Sequence, residues 1–578
     1  MDKNAGPEET QAVNANTVSD SRFAWKKVLP VLADNLRGRQ DLLADYKTVR
    51  SAVEEYDSDA KPSKFAFFGL IGHKQKCHDK EEKYKAIFKK LKECGLLAEV
   101  PKEDAMNMSG VPSQYRPDYF VVREKEDVKK ENIASLDKLF ANALTLADAK
   151  TQEEQKNAKG NFNASLEACV EIRSIGLGSL TSVLFMMRPD YFVPADRNTL
   201  AFWKKYIRDK YIRDDKFKKA ISAENYLEYC DKVKDWIDKN KDDEKAAFQM
   251  RAIAELSEKA WELGCALEVE ELVRQTKRVV LTGAPGTGKT YLANQIAEKI
   301  VGENSNGHIF KCQFHPTYDY SDFVEGLRPI PPQKEGEQPS FVLRAGEFMR
   351  FCAKAADASS GEKFVFIIDE INRGDISKIF GETFSALDVD YNTSGDGVAT
   401  RFANLHSQGN AAWDEEDELA FKIFATKFFV PKNVYVIGTM NDIDRSVESM
   451  DFAIRRRFVW KNIDPDSRLT MLREEIDSGD CEYDSEKAIK VMRSLNAVIK
   501  EKDSAKGVGL GEAYQIGGAY FRRLLQFGGT TSDGFASLWQ YCIEPLLQEY
   551  FRGREESELT ACMKKCKDAY ANAAGIKL

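Results

Sequence analysis

The stretch "VVLTGAPGTGKTYLANQIAEKI", Val279–Ile300, constrains the fold more than any other part of this chain. A β-branched run leads into a glycine-rich loop, and the loop opens directly into a segment of helical spacing. Gly283, Gly288, Lys289 and Thr290 hold the G-x-x-x-x-G-K-[ST] spacing, which carries meaning only between a strand and a helix, the context found here. Glycines let successive backbone N–H groups curl around phosphate oxygens, and the helix start adds the positive end of its dipole. Lys289 is expected to reach the β- and γ-phosphates of a nucleoside triphosphate, and Thr290 to ligate Mg²⁺. Pro285, Gly286 and Tyr291 complete the expected cofactor-binding set. A strand that enters a crossover helix also calls for a parallel sheet with helices on its faces.

Two later segments supply more of that sheet. "KFVFIIDEINRG" is a buried-strand pattern ending in two carboxylates. Asp369 is expected to hold Mg²⁺, and Glu370 to orient or activate the attacking water. "NVYVIGTMND" is a further strand expected to end in Asn441, whose amide is placed to position the same water. Apolar runs of this length, alternating with helical segments, predict an α/β module with a parallel sheet, followed by a helical lid over 464–578.

Arg455, Arg456 and Arg457 follow a short helical stretch expected over Val447–Ile454, in a chain of formal net charge −8. A cation at a helix C-terminus is favourable by some 0.3–1 kcal/mol, which accounts for one arginine and not for three. If the site lies at a subunit edge, an arginine can enter the neighbour's site and neutralise charge on the transferring phosphoryl group, an effect worth roughly 10³–10⁵ in rate. A head-to-tail interface of that kind closes into a ring.

A chain of 578 residues exceeds a single ordinary core. The texture suggests a disordered leader over 1–20, an N-terminal recognition or adaptor domain over 21–130, a helical adaptor over 131–265, a nucleotide-binding core over 270–463, and the lid. The region before the core is expected to be mainly helical α+β. No apolar run approaches a membrane span, the first residues lack a signal peptide's pattern, and the eleven cysteines are scattered, so a reduced, cytoplasmic protein is expected. The sequence pI of about 5.6 excludes a generally basic polyanion binder.

Several front-half features read two ways. "RPDYFV" occurs at Arg116–Val121 and Arg188–Val193; it marks either a duplication or a Pro-Asp turn followed by an aromatic strand. His73, Cys77 and His78 lack a fourth metal ligand at sensible spacing, so an exposed helix start is favoured over a metal site. Phe65, Phe67 and Phe68 suit core packing better than base stacking. "NKDD" at Asn240–Asp243 matches a guanine-binding pattern but precedes the phosphate loop, and a solvated helix face is expected instead. Pro117–Asp118 is not followed by the E-x-K of a nuclease, so any DNA cleavage falls to a separate subunit.

The order of these motifs resembles an AAA+ module, and the details are similar to the McrB family, the NTP-hydrolysing motors of methylation-dependent restriction. "CQFHPTYDYSDFVEGLRPI", "IIDEINRGDISKIFGETFSALD" and "GTMNDIDRSVESMDFAIRRRF" carry the resemblance, with "LGEAYQIGGAYF" and "IEPLLQEYF" in the lid. It covers about residues 270–555. It implies a homo-oligomeric ring, a hexamer by family pattern, using GTP or ATP with Mg²⁺, an McrC-like nuclease partner, and DNA reading by the front half. By the same pattern Asn441, Asp444 and Arg445 form a signature loop engaged by the partner, Arg456 and Arg457 face the neighbour's nucleotide, and Asp451 is a carboxylate of that stretch. Two departures stand out. "NDID" replaces the common "NTAD", and "IGGAYF" replaces "IGHSYF", so the usual lid histidine has no bearer. Residues 392–420 form a longer acidic insertion. A protein-remodelling ATPase acting on a protein client is the competing reading, and indifference to DNA would favour it.

Overall fold

The β-branched and aromatic runs of the second half become seven strands among the described residues: β1 (Arg278–Thr282), β2 (Ile309–Gln313), β3 (Glu325–Ile330), β4 (Ser340–Ala345), β5 (Phe364–Asp369), β6 (Val434–Thr439) and β7 (Val459–Asn462). The structure, a computed structural model, describes residues 24–52, 62–72, 80–101, 111, 130–172, 175–208, 221–242, 250–302, 308–330, 340–388, 397–443, 452–473, 482–501, 503 and 507–578. Five strands form one sheet in the order β2-β5-β6-β1-β7, with every neighbouring pair parallel. β3 and β4 form a separate antiparallel hairpin.

Side chains alternate across a strand, and here both faces are buried. Val280, Phe366, Ile368 and Val436 face a core closed by helix Glu347–Asp357 through Phe348, Met349 and Phe351. Val279, Leu281, Val365, Ile367 and Ile437 face the opposite core, closed by helix Lys289–Val301 through Leu292 and Ile296 and by Val269 and Val273. The parallel register collects the C-terminal ends of β1, β5 and β6 at one edge, where open α/β sheets bind ligands.

The acidic insertion is woven into this module where it is described. Val398 bridges to Phe428, and helix Glu415–Ile423 turns Asp417 inward. Asp417 is fully buried; it accepts from Arg344 at 2.5 Å, from Arg350 at 2.7 Å and from the Ala345 backbone N–H at 2.9 Å.

The lid is helical as expected, with its own core of Met492, Leu495, Phe535, Leu538 and Tyr570. Its helix Ser485–Lys500 starts at an Asp484 cap and buries Asn496. Asn496 donates to Ile516 O at 2.8 Å and accepts from Ile516 N at 2.6 Å. That amide clamp fixes the glycine-rich interruption just before Gly517.

The chain divides into two compact units, residues 1–264 and 265–578. The described residues of the first unit are mainly helical, with long helices Lys130–Asp148, Gln152–Val170 and Tyr226–Asn240. Phe65, Phe67 and Phe68 lie in its core, Phe65 edge-on to Phe140 at 5.8 Å. The second "RPDYFV" is a turn after helix Leu177–Met187 without the aromatic strand expected; Arg188 pairs with Asp34 at 2.6 Å and Asp148 at 3.1 Å. Asn240 is buried rather than solvated, and it donates to Trp236 O. The first copy of the repeat and the His73, Cys77 and His78 group lie outside the described residues. No described helix is long and apolar enough to cross a membrane.

Candidate functional site

At the C-terminal edge of the sheet the loop after β1 curls through three left-handed glycines: Gly283 (φ 137°), Gly286 (φ 75°) and Gly288 (φ 78°). Lys289 is buried beneath it and donates to Gly283 O at 3.0 Å and Ala284 O at 2.8 Å. Pro285 and Gly286 meet the lid: Gly517 N donates to Pro285 O at 2.9 Å and Ala519 N to Gly286 O at 3.0 Å. Tyr291 is half exposed, at 50%, in the first turn of the following helix.

Thr290 and Asp369 meet across the edge, with Thr290 Oγ1 donating to Asp369 Oδ1 at 2.7 Å. Thr439, the last residue of β6, donates to the same oxygen, and Lys311 lies 3.3 Å from Oδ2. Burial acts to raise the Asp369 carboxyl, but the Thr439 and Thr290 hydrogen bonds and the Lys311 charge outweigh it and hold the group below the ordinary aspartate value. Glu370 sits at φ 51°, a left-handed conformation rare for a side-chain-bearing residue and common at functional sites. Its backbone N–H reaches Thr439 Oγ1 at 3.3 Å, and its Oε1 accepts from Asn441 Nδ2 at 2.7 Å. The Glu370 carboxylate and the Asn441 amide are thus directly joined.

The donor set fits a triphosphate with Mg²⁺. A hydroxyl and one carboxylate held charged suit an ion that keeps several waters and shares the phosphates.

The arginines lie elsewhere. Helix Phe452–Arg457 contains them, where a helix ending before them was expected. β7 follows at once, and its first residue, Val459, pairs with Val279, four residues before Gly283. The arginines therefore sit at the opposite end of the sheet from their own phosphate loop, beyond roughly 13 Å of strand. Arg455 is exposed and lies over the Trp460 ring at 5.3 Å; Arg456 is exposed; Arg457 pairs with Asp388 at 3.0 Å and lies over Phe384 at 4.5 Å. Asp444, Arg445 and Asp451 lie outside the described residues.

Sequence reasoning missed Thr439, Asp388, Asn496 and the use of Gly517. Thr439 left a trace, a hydroxyl ending an otherwise apolar strand. The others are long-range contacts with no local pattern.

Residues 278–458 match the family described as AAA domain (dynein-related subfamily), and residues 487–557 match the McrB alpha-helical lid domain. Over 48% of this chain and 54% of the relative, the sequence is 32% identical to the type IV methyl-directed restriction enzyme EcoKMcrB subunit of Escherichia coli (strain K12). The second half of the chain thus carries an AAA domain followed by a lid domain of the McrB type. It is also 28% identical, over 34% of its length and 59% of the relative, to the type II restriction enzyme BsuMI component YdiS of Bacillus subtilis (strain 168). The chain thus spans little more than half the length of the curated relatives it matches. Its residues 15–263 match a family described as a domain of unknown function. A solved chain titled "Structure of C. elegans PCH-2" is similar over 55% of this chain and 70% of its own, at 14% identity and a TM-score of 0.20, too low to equate the two as wholes.

Proposed function

We propose that this protein hydrolyses GTP or ATP in a homo-oligomeric ring, a hexamer by family pattern, and powers a DNA restriction complex with a separate McrC-like nuclease subunit. The observation that carries the reading is the placement of the catalytic groups at two ends of one sheet. The phosphate loop, Asp369, Glu370 and Asn441 converge at one end, and Arg456 stands exposed at the other, away from its own phosphate loop.

The loop N–H groups and Lys289 bind the phosphates, and Thr290 with Asp369 holds Mg²⁺, which when bound neutralises charge on the phosphoryl oxygens. Glu370, aimed by Asn441 and Thr439, orients the attacking water. Arg456, from the adjoining subunit, faces the transferring group. The printed names of both relatives as restriction-enzyme components support the defence role, and the front half takes the position of the DNA-reading part. Neither GTP nor ATP is favoured by a residue of the site.

The test is steady-state hydrolysis of both nucleotides across protein concentration, with and without DNA. Specific activity is expected to rise with concentration. Arg456→Ala and Lys289→Ala, each inactive alone, are expected to regain activity when mixed. A rate independent of concentration where sizing detects only monomers refutes the shared site.

A further inference from the structure

Asp388 is the last residue of the stretch "IIDEINRGDISKIFGETFSALD", where no role was expected for it, yet it holds one of the three arginines. It closes the segment that leaves the catalytic carboxylates: Asp369 and Glu370 lead through 3-10 turn Ile371–Arg373 and helix Ile376–Phe380 to the 3-10 stretch Gly381–Leu387, and Asp388 follows. Its Oδ2 accepts from Arg457 Nε at 3.2 Å and from Nη2 at 3.0 Å. Phe384, from the same stretch, lies under the guanidinium at 4.5 Å. The Arg457 side chain is only 7% exposed in this clamp. A charge-assisted pair with two donors fixes direction as well as position, and a guanidinium over a ring adds to it. Burial and pairing on this scale do not suit a group that must swing into another subunit.

We infer that Asp388 is the positioning residue of the arginine helix. It anchors Arg457 within its own subunit, leaves Arg456 as the guanidinium presented to the neighbour, and makes that presentation depend on the segment running from the subunit's own Asp369 and Glu370. A shift of that segment on hydrolysis moves the clamp, and with it the arginine offered to the next site. The inference rests on the shared-site reading proposed above and assigns the coupling between successive sites to one carboxylate.

Three mixtures with Lys289→Ala subunits test it. Lys289→Ala lacks a working phosphate loop but keeps its arginine helix. The reference mixture with Arg456→Ala reports whether sites are shared at all. Asp388→Asn keeps shape and loses charge. Alone it is expected to bind nucleotide with parental Kd and KM and to lose about 10²-fold in kcat, the scale of a small misplacement of a catalytic group. Mixed with Lys289→Ala it is expected to recover activity as the reference does, and Asp388→Glu is expected to recover part of the rate without mixing. If Asp388→Asn proves unstable, Phe384→Leu is expected to give the same trans pattern with a smaller, roughly 10-fold, loss. Failure of the reference mixture refutes the shared site itself. Recovery of the reference without recovery of Asp388→Asn or Phe384→Leu overturns the clamp, as does an Asp388→Asn protein with parental kcat.

Discussion

Replacing Gly517 by alanine should uncouple the lid from the phosphate loop. Gly517 has φ −80°, a conformation alanine adopts freely, so the cost comes from space alone. A Cβ there would stand 2.1 Å from Gly286 C, 2.2 Å from Gly286 O and 2.3 Å from Thr287 N. All three are backbone atoms, and none can rotate away. Restoring ordinary contact requires the loop and lid to part by roughly 1.5 Å. That separation breaks two hydrogen bonds, Gly517 N to Pro285 O and Ala519 N to Gly286 O. At about 0.5–1.5 kcal/mol each, the coupling lost is about 1–3 kcal/mol, or about 5- to 150-fold in nucleotide affinity if the loop binds through its docked form. Titration with a fluorescent nucleotide analogue reads this directly. The adjacent Gly518→Ala is the control. Its Cβ would meet only lid side chains, Met471 Sδ at 2.7 Å, Met471 Cγ at 3.0 Å and Leu472 Cγ at 3.3 Å, and no backbone atom of the phosphate loop. A Gly517→Ala protein that binds within about twofold of the parent, or a Gly518→Ala protein equally impaired, refutes the argument.

Glu370→Gln is expected to retain nucleotide binding and assembly while losing turnover, checked by single-turnover hydrolysis alongside binding; hydrolysis at the parental rate removes Glu370 from its role. Thr439→Val removes the hydroxyl shared by Asp369 and the Glu370 backbone, and kcat should fall about 10-fold. The Asp369 carboxyl is held low, so it stays charged as pH falls until that lowered value is reached; loss of the Thr439 bond raises it. The acid limb of kcat/KM for Thr439→Val should therefore lie at higher pH than the parent's. Asp417→Ala leaves Arg344 and Arg350 without their buried carboxylate. Both guanidiniums are partly exposed and keep Asp414 or Glu416 as partners, so we expect about 2–3 kcal/mol of destabilisation, below the roughly 3–5 kcal/mol of a fully buried pair, read by chemical denaturation.

The phosphate loop, the acidic pair and Asn441 were legible because each is a local pattern whose strand and loop lie next to one another in sequence. The sheet followed from the same runs, since buried parallel strands read as continuous Val and Ile. Phe65, Phe67 and Phe68 were likewise read as core, and all three are buried. What could not be read is held by distance in sequence. Asp388 and Arg457 are 69 residues apart, and Gly517 reaches Pro285 across more than two hundred. Asn496 looks like any polar residue in an amphipathic helix until its amide is seen clamping Ile516. The helix was expected to end at Ile454 with the arginines at its C-terminus, but it runs through Arg457, since arginine is a good helix former and continues the turn.

That boundary matters for the arginines themselves. Three consecutive residues inside a helix point about 100° apart, so the trio fans over roughly 200°. One anion cannot face all three, and an account that sends the cluster as a block into a neighbour's site fails on geometry. The environments differ accordingly. Arg455 lies against its own Trp460, and Arg457 turns inward to Asp388 and Phe384. Arg456, between them and exposed, points where neither flanking residue does. An acidic chain thus meets part of its basic cluster with its own groups, and the guanidinium that projects is the middle one. Substituting each arginine in turn separates the roles. Arg456→Lys keeps the charge and loses the planar fork, and its kcat should stay far below parent because a transferring phosphoryl group is met by geometry as well as charge. Arg455→Lys should leave hydrolysis near the parental rate. A reversal of that order, with position 455 critical and 456 tolerant, would mean that the helix presents a different face to its neighbour.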